Sequence, residues 1–393
     1  MNSPGQGLRE LRVALVAGEA SGDLLGAGLI DALRKRIPHL QCEGIAGVAM
    51  QQAGCEAFAN SDALAVMGLI EPLRHIPRLF RLRRELIKRW TVDPPDVFVG
   101  IDAPDFNLGL ERRLKQLGIP TIHYVSPSVW AWRQGRVRTI GRAADKVLCL
   151  LPFEKTFYDR HGVSAEFVGH PLADQLPSEV SPTAVRIELG IHAGHVVTVM
   201  PGSRMSEVTR LGPVFLQACQ RLVSLYPDIA FVTPFANQAT RSLFSRQLSA
   251  TGLEGRFTLL ERRSEAAILA GDVVLLASGT AALESALLCR PTVAAYRLAP
   301  LTYALAKGLR LVKVPCFTLP NQLTREPLVP EFLQSAVTPE ALADAVAQML
   351  DDDVLRLRIQ GEFAGLRDTL ARGASDRAAE AVLAAAQERA VRT

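Results

Sequence analysis

Short apolar runs without polar alternation, separated by helical stretches, recur along nearly the whole of this chain. In the first half they fall at Val13–Ala17, Cys42–Ala46, Val97–Ile101, Thr121–Val125, Val147–Leu151 and Phe167–Val168. Helical patterns such as Leu24–Arg36 and Leu108–Leu117 lie between them, and Pro38, Pro94-Pro95 and Gly118-Ile119-Pro120 act as breakers. Strands of this kind are buried on both faces, which calls for a parallel sheet covered by helices. Pro171, Pro177 and Pro182 mark a linker, after which the pattern restarts at Val196–Met200, Ala230–Thr233, Phe257–Leu260, Val273–Ala277 and Thr292–Ala295. From Pro339 the chain is helical and alanine-rich. The expected fold class is α/β. It has two doubly wound domains face to face, 1–172 and 173–359, with C-terminal helices from about 360 to 393 packing back on the first. A length of 393 residues suits two or three domains.

Charge and cysteine usage exclude several classes. A net charge of +4 does not suggest a nucleic-acid binder. The six cysteines form no Cys-x-x-Cys pair and read as reduced thiols of a cytosolic protein. Met1 to Arg12 has no apolar signal core, and no run approaches the roughly 20 apolar residues that span a bilayer. Membrane contact, if any, is peripheral. The stretch Arg74 to Arg89 nevertheless holds seven Lys/Arg and one acid.

Ligands of open α/β sheets bind beyond the carboxyl ends of strands, and the loops there are chemically rich. Gly18-Glu19-Ala20-Ser21-Gly22-Asp23 is a glycine loop opening a helix, without the G-x-G-x-x-G dinucleotide spacing; exposed N–H groups at such a start attract anions or sugar hydroxyls. In Gly100-Ile101-Asp102-Ala103-Pro104-Asp105-Phe106-Asn107, Asp102 and Asp105 flank a proline, and either is a candidate general base. Asp105 also suits a helix cap. His123-Tyr124-Val125-Ser126-Pro127-Ser128-Val129-Trp130-Ala131-Trp132-Arg133 holds two of the three tryptophans, suiting a sugar or lipid partner or a packed surface. His170 closes the last strand of the first half.

In the second half, Gly202, Ser203 and Arg204 follow a strand and offer close backbone approach, a cap and a forked cation for phosphate. Ser278, Gly279 and Thr280 open a helix whose N–H groups suit a diphosphate, and Glu284, four residues after Thr280, suits a ribose. No Walker loop, His-Glu-x-x-His or metal-spaced carboxylate cluster is present.

Gly-Glu-Ala-Ser-Gly-Asp (18–23), Gly-Ile-Asp-Ala-Pro-Asp-Phe-Asn (100–107), Tyr-Val-Ser-Pro-Ser-Val-Trp-Ala-Trp-Arg (124–133), Leu-Pro-Phe-Glu (151–154), Pro-Gly-Ser-Arg (201–204), Ala-Ser-Gly-Thr-Ala-Ala-Leu-Glu (277–284) and Leu-Pro-Asn (319–321) together resemble the lipid-A-disaccharide synthase family, in order and over nearly the whole chain. The resemblance implies the GT-B glycosyltransferase fold. It also implies transfer from UDP-2,3-diacylglucosamine to 2,3-diacylglucosamine 1-phosphate (lipid X), giving the β-1,6-linked disaccharide 1-phosphate and UDP with inversion. No cofactor and no metal are expected. Asp105 is then the favoured base, with Asp102 and Glu19 as alternatives and His170 as a further catalytic candidate. Arg204 and the Gly279-Thr280 helix start hold the diphosphate, Glu284 the ribose, Asn321 the donor, and Glu19 and Ser21 the sugar pocket.

Val66, Met67, Leu69, Ile70, Leu73, Ile76, Leu79 and Phe80, interleaved with Arg74, Arg78, Arg81, Arg83 and Arg84, then suit an anionic membrane surface and acylated substrates. Gly68, Pro72 and Pro77 argue against one long core helix there. Trp130 and Trp132 join this acceptor side. The expected location is cytoplasmic, on the cytoplasmic face of the inner membrane, as a monomer or homodimer. The rivals are another GT-B UDP-sugar enzyme with a soluble acceptor, such as an epimerase, and a non-catalytic nucleotide or lipid binder.

Overall fold

A computed structural model of the chain describes residues 10–65, 72–130, 134–177, 181–298 and 316–392. The apolar runs become two parallel sheets. The first holds β1 (Glu10–Ala17), β2 (His39–Ala46), β3 (Cys55–Asn60), β4 (Val97–Ile101), β5 (Thr121–Tyr124), β6 (Lys146–Cys149) and β7 (Ala165–Phe167), in the order β3-β2-β1-β4-β5-β6-β7. The second holds β8 (His195–Met200), β9 (Ile229–Phe235), β10 (Phe257–Glu261), β11 (Val273–Ala277), β12 (Thr292–Tyr296) and β13 (Glu331–Leu333), in the order β10-β9-β8-β11-β12-β13. Contacts divide the chain into one unit running to Asp174 and resuming at Leu370, and another from Gln175 to Thr369.

Strand alternation sorts each sheet's side chains onto two buried faces. Val13, Leu15 and Ala17 of β1 pack with Val97, Val99 and Ile101 of β4 beneath the helices Ala20–Arg34 and Ala374–Arg392. Ala14, Val16 and Phe98 face the opposite way, toward the helices Pro72–Val92 and Pro104–Gln116. Asp23 does not cap its own helix. Its carboxylate accepts the N–H groups of Gly47, Ala49 and Met50 and so caps the helix Val48–Gln52, a contribution of about 1 kcal/mol.

Three sequence expectations change. β3 is an edge strand of mostly half-exposed residues, and β13 is three residues long, so neither has an apolar run to announce it. The helix Pro72–Val92 continues past Pro77 instead of stopping there. Leu79, Leu82, Leu86 and Trp90 bury one face of it against the sheet, and the Trp90 indole donates to Glu43 at 2.7 Å. Burial worth roughly 1.5–3 kcal/mol per large apolar side chain outweighs the proline's cost of about 3 kcal/mol. Leu79 is therefore half-buried against this core, not part of an exposed apolar face. Arg78, Phe80, Arg81, Arg84 and Lys88 are exposed. Val66, Met67, Leu69 and Ile70 lie outside the described residues, as do Trp132 and the side chains of Leu73 and Arg74.

Candidate active site

In each sheet the strand order reverses once, between β1 and β4 and between β8 and β11. Ligands of doubly wound sheets sit at the carboxyl ends of such strand pairs. Four of the loops singled out in the sequence, at 18–23, 100–107, 200–204 and 277–280, follow these four strands.

In the first unit, the loops after β1 and β4 touch. A Cβ on Gly18 would stand 2.3 Å from the Ala103 Cβ, so only glycine allows the approach. Glu19 is the exposed N-cap of the helix Ala20–Arg34 and makes no side-chain cap bond, and Ser21 is exposed in the first turn. Asp102 and Ala103 are both left-handed, with φ of 51° and 43°. Asp102 is half-buried and donates its N–H to the Tyr124 carbonyl at 2.8 Å. Asp105 does not cap its helix, which begins at Pro104 behind Ala103. Its side chain is 61% exposed and receives a 2.7 Å bond from Arg136 Nη2. Arg83 donates to its carbonyl and lies over the Phe106 ring, 5.0 Å from the centroid. Among the described residues, Asp105 is thus an open carboxylate ion-paired with Arg136.

The Trp130 indole donates to Glu154 at 3.1 Å and meets Phe153 edge to face at 4.8 Å. The tryptophan is half-buried and tied down. His170 ends the stretch after β7, with Nδ1 accepting the Leu172 N–H at 3.2 Å. Burial pushes its pKa down to about 4, against the opposing pull of Asp174. The neutral imidazole then carries its proton on Nε2, and it is no imidazolium acid at neutral pH.

In the second unit, a cavity of about 670 Å³ opens at the ends of β8 and β11. Gly202, Ser203, Arg204, Ser278, Gly279 and Thr280 all line it. Gly279 precedes the helix Thr280–Leu287 without any side-chain cap, leaving its positive end to the cavity. Arg204 is 77% exposed, with Nη1 3.2 Å from Glu207. Glu207 also accepts the N–H groups of Ser203 and Arg204, at 3.1 and 3.3 Å. Gly202, at φ 121°, is glycine partly because a Cβ would stand 2.5 Å from the Glu207 Cβ. The loop's glycine thus serves Glu207, and the guanidinium of Arg204 is what the loop offers to an anion. Glu284 accepts a 2.9 Å bond from Ser264, which lines the cavity. Burial raises the Glu284 pKa, with Ser264 opposing and Glu265 reinforcing the shift.

The family profile described as Lipid-A-disaccharide synthetase matches residues 13–383. The chain belongs to this family. The lipid-A-disaccharide synthase of Alkalilimnicola ehrlichii is 52% identical over 379 residues, 96% of this chain and 99% of that one. The Pseudomonas putida protein of the same name is 51% identical over 97% of this chain and all of its own length. Among solved structures, the UDP-GlcNAc 2-epimerase of Neisseria meningitidis bound to UDP-GlcNAc superposes with a TM-score of 0.61 at 13% identity, over 95% of this chain and 100% of that one. That likeness speaks for the GT-B fold alone.

One further candidate of this synthase family member, Asn321, is held by bonds within its own unit. Asn321 does not line the cavity. Its amide donates to the Val329 carbonyl and to Glu331, and its oxygen accepts the N–H groups of Leu328 and Val329, all within 2.9 Å. Every polar atom of the buried side chain is spent inside the second unit. Asn321→Ala is expected to destabilise the protein by roughly 3 kcal/mol and to leave UDP affinity unchanged. Urea unfolding beside calorimetric UDP titration checks this, and a lost UDP affinity at unchanged stability would refute it.

Arg136, Glu207, Ser264 and Glu154 were not singled out as site residues. Glu207 was legible in principle, as a carboxylate three residues into a helix. Arg136 carried no local signal. Glu154 is buried at 4% exposure; burial raises its pKa to about 7 against the bonds from the Leu151 N–H, Trp130 and Ser126. Between the ordinary carboxyl value and about 7 the folded state holds a proton that the unfolded chain has released, so stability falls as pH rises across that window. The span is worth roughly 3 kcal/mol. Glu154→Gln should abolish it. Thermal melts at pH 5 and pH 8 should show the variant gaining on the parent at the higher pH; a constant difference would contradict it.

Proposed function

We propose that this chain performs the reaction its family implies: inverting transfer of the diacylglucosamine of UDP-2,3-diacylglucosamine to the 6-hydroxyl of lipid X, releasing UDP. The observation that carries the reading is the second unit's cavity. It combines an uncapped helix start at Gly279-Thr280, an exposed guanidinium at Arg204 and a carboxylate hydrogen-bonded to Ser264 at its edge. This set suits a nucleoside diphosphate. The helix start and Arg204 bind the diphosphate and stabilise charge on it as the glycosidic bond breaks. Glu284 takes the ribose hydroxyls, exchanging its bond to Ser264. Asp105 takes the proton of the attacking hydroxyl, and that oxygen forms the new bond to C1 from the face opposite UDP. Glu19 and Ser21 border the acceptor sugar.

On this reading the charge on the leaving diphosphate is met by protein groups, and no metal is required. The exposed Arg78, Arg81, Arg84 and Lys88 with Phe80 form a basic face on the helix Pro72–Val92 that suits an anionic lipid surface. A peripheral association is the reading proposed for this face; no described helix is long and apolar enough to cross a membrane.

The test is turnover of purified protein with both lipid substrates, with and without EDTA, following UDP and disaccharide 1-phosphate. Product that survives EDTA is expected. Folded, UDP-binding protein that yields no disaccharide would overturn the acceptor assignment, and loss of product in EDTA would overturn the metal-free mechanism.

A further inference from the structure

A polar cluster buried in the first unit takes no part in the chemistry above. The helix Pro104–Gln116 carries Asp105 in its first turn, then Asn107, and Glu111 one turn beyond that on the same face. Glu111 Oε1 lies 2.6 Å from Nδ1 of His123 on β5, and both side chains are 0% exposed. The Asn107 amide donates to the carbonyls of Val16, Ile101 and Asp102, at 3.2, 3.4 and 2.8 Å. It thus clasps the ends of β1 and β4 where the strand order reverses.

Gly100 makes room for this. A Cβ there would stand 2.2 Å from Glu111 Oε1 and 3.0 Å from the Asn107 Cβ. Its backbone is not left-handed, so the demand on glycine is for space and not for conformation. Asn107 Oδ1, Glu111 Oε2 and His123 Nε2 are also buried and meet no hydrogen-bond partner among the described residues. Packing alone does not ask for such a cluster, because apolar residues of similar volume are commonly as stable or more so.

The cluster ends at a strained turn. Asp102 and Ala103 are consecutive non-glycine residues with positive φ, a conformation that persists only where its surroundings over-determine it. The Asn107 bond to the Asp102 carbonyl and the Asp102 N–H bond to Tyr124 do so directly. The Glu111–His123 contact fastens the helix that carries Asn107 to β5.

We infer that the buried Glu111–His123 pair and Asn107 are positioning residues that lock the Asp102–Ala103 turn and so set where the Asp105 carboxylate stands for proton transfer. This rests on the reading of Asp105 as the base.

The test compares the double variant Glu111→Met/His123→Leu with Glu111→Gln and Asp105→Asn. The double variant should fold at least as well as the parent and keep its KM for the donor, while kcat falls about tenfold or more, the scale on which a small misplacement of a catalytic group acts. Glu111→Gln still offers His123 an oxygen and should keep most of kcat. A folded double variant with kcat unchanged overturns the inference, and so does Glu111→Gln losing as much as the double. Should the double variant not fold, Gly100→Ala decides. It deletes no polar group but drives a Cβ onto Glu111, and it should lower kcat at constant donor KM; unchanged kcat overturns the inference. Asp105→Asn separates the two readings. If it retains turnover, the base assignment has failed. If it is inactive while the double variant is fully active, only the positioning role has failed.

Discussion

Asp105→Asn is expected to lower kcat by about 10²–10⁴-fold, the range over which a positioned general base acts, with UDP affinity unchanged. The substitution keeps the shape of the side chain and an oxygen for Arg136 but removes the ability to take a proton. The fold should tolerate it, because the side chain is 61% exposed and Arg136, its ion-pair partner among the described residues, is itself partly exposed. Such an exposed pair is worth little in stability. The bond to Arg136 orients the carboxylate and must loosen as the proton arrives. Asp102→Asn and Glu19→Gln provide the comparison. Asp102 is half-buried with its backbone fixed at both ends, and Glu19 is an exposed N-cap; each should cost less than Asp105→Asn. Initial rates at saturating donor and acceptor, with calorimetric UDP titration, measure the effect. A kcat for Asp105→Asn within about fivefold of the parent, or a larger loss at either of the other carboxylates, would move the base elsewhere.

The architecture was legible because buried parallel strands are written as uninterrupted apolar runs. Val97–Ile101 and Val273–Ala277 begin and end where their runs do. The edge strands β3 and β13 were not legible, since an edge strand needs no apolar run and tolerates half-exposed residues. Pro77 misled for the opposite reason. A strong local signal for a break lost to tertiary burial of Leu86 and Trp90, which local pattern does not weigh. The site divides in the same way. Residues that meet the cavity from a strand-end loop, such as Arg204 and Thr280, are announced by their neighbours in sequence. Residues whose role depends on what folds against them are not. The partners of Asn321, Leu328, Val329 and Glu331, lie on the following segment and are not announced by its Leu-Pro-Asn motif. Arg136 meets Asp105, and His123 meets Glu111, only once the helix Pro104–Gln116 has packed on the sheet.

Arg204→Ala should lower kcat/KM by about 10²–10³-fold, as removal of a group that stabilises leaving-group charge does. The loss should be shared between donor KM and kcat, because in the proposed mechanism the guanidinium meets the diphosphate in the ground state and meets more charge as the bond to C1 breaks. Glu207 makes the argument specific to the side chain. Its carboxylate takes the N–H groups of Ser203 and Arg204, so this loop has few backbone donors left for phosphate. It also holds the guanidinium from one side, at 3.2 Å, while the remaining donors stay exposed toward the cavity. The protein should remain folded after Arg204→Ala, since the N-cap contact is made by the backbone and not by the guanidinium. Arg204→Lys should recover only part of the loss, because an ammonium supplies the charge but not two parallel bonds to one phosphate. Steady-state kinetics with varied donor, together with UDP and UMP titrations, distinguish the possibilities. UDP affinity should fall for both variants, and UMP affinity should fall much less, if Arg204 acts on the second phosphate. A variant that loses UDP and UMP equally would assign Arg204 to the phosphate next to the ribose, and one that loses neither would leave the diphosphate to the helix start at Gly279-Thr280 alone.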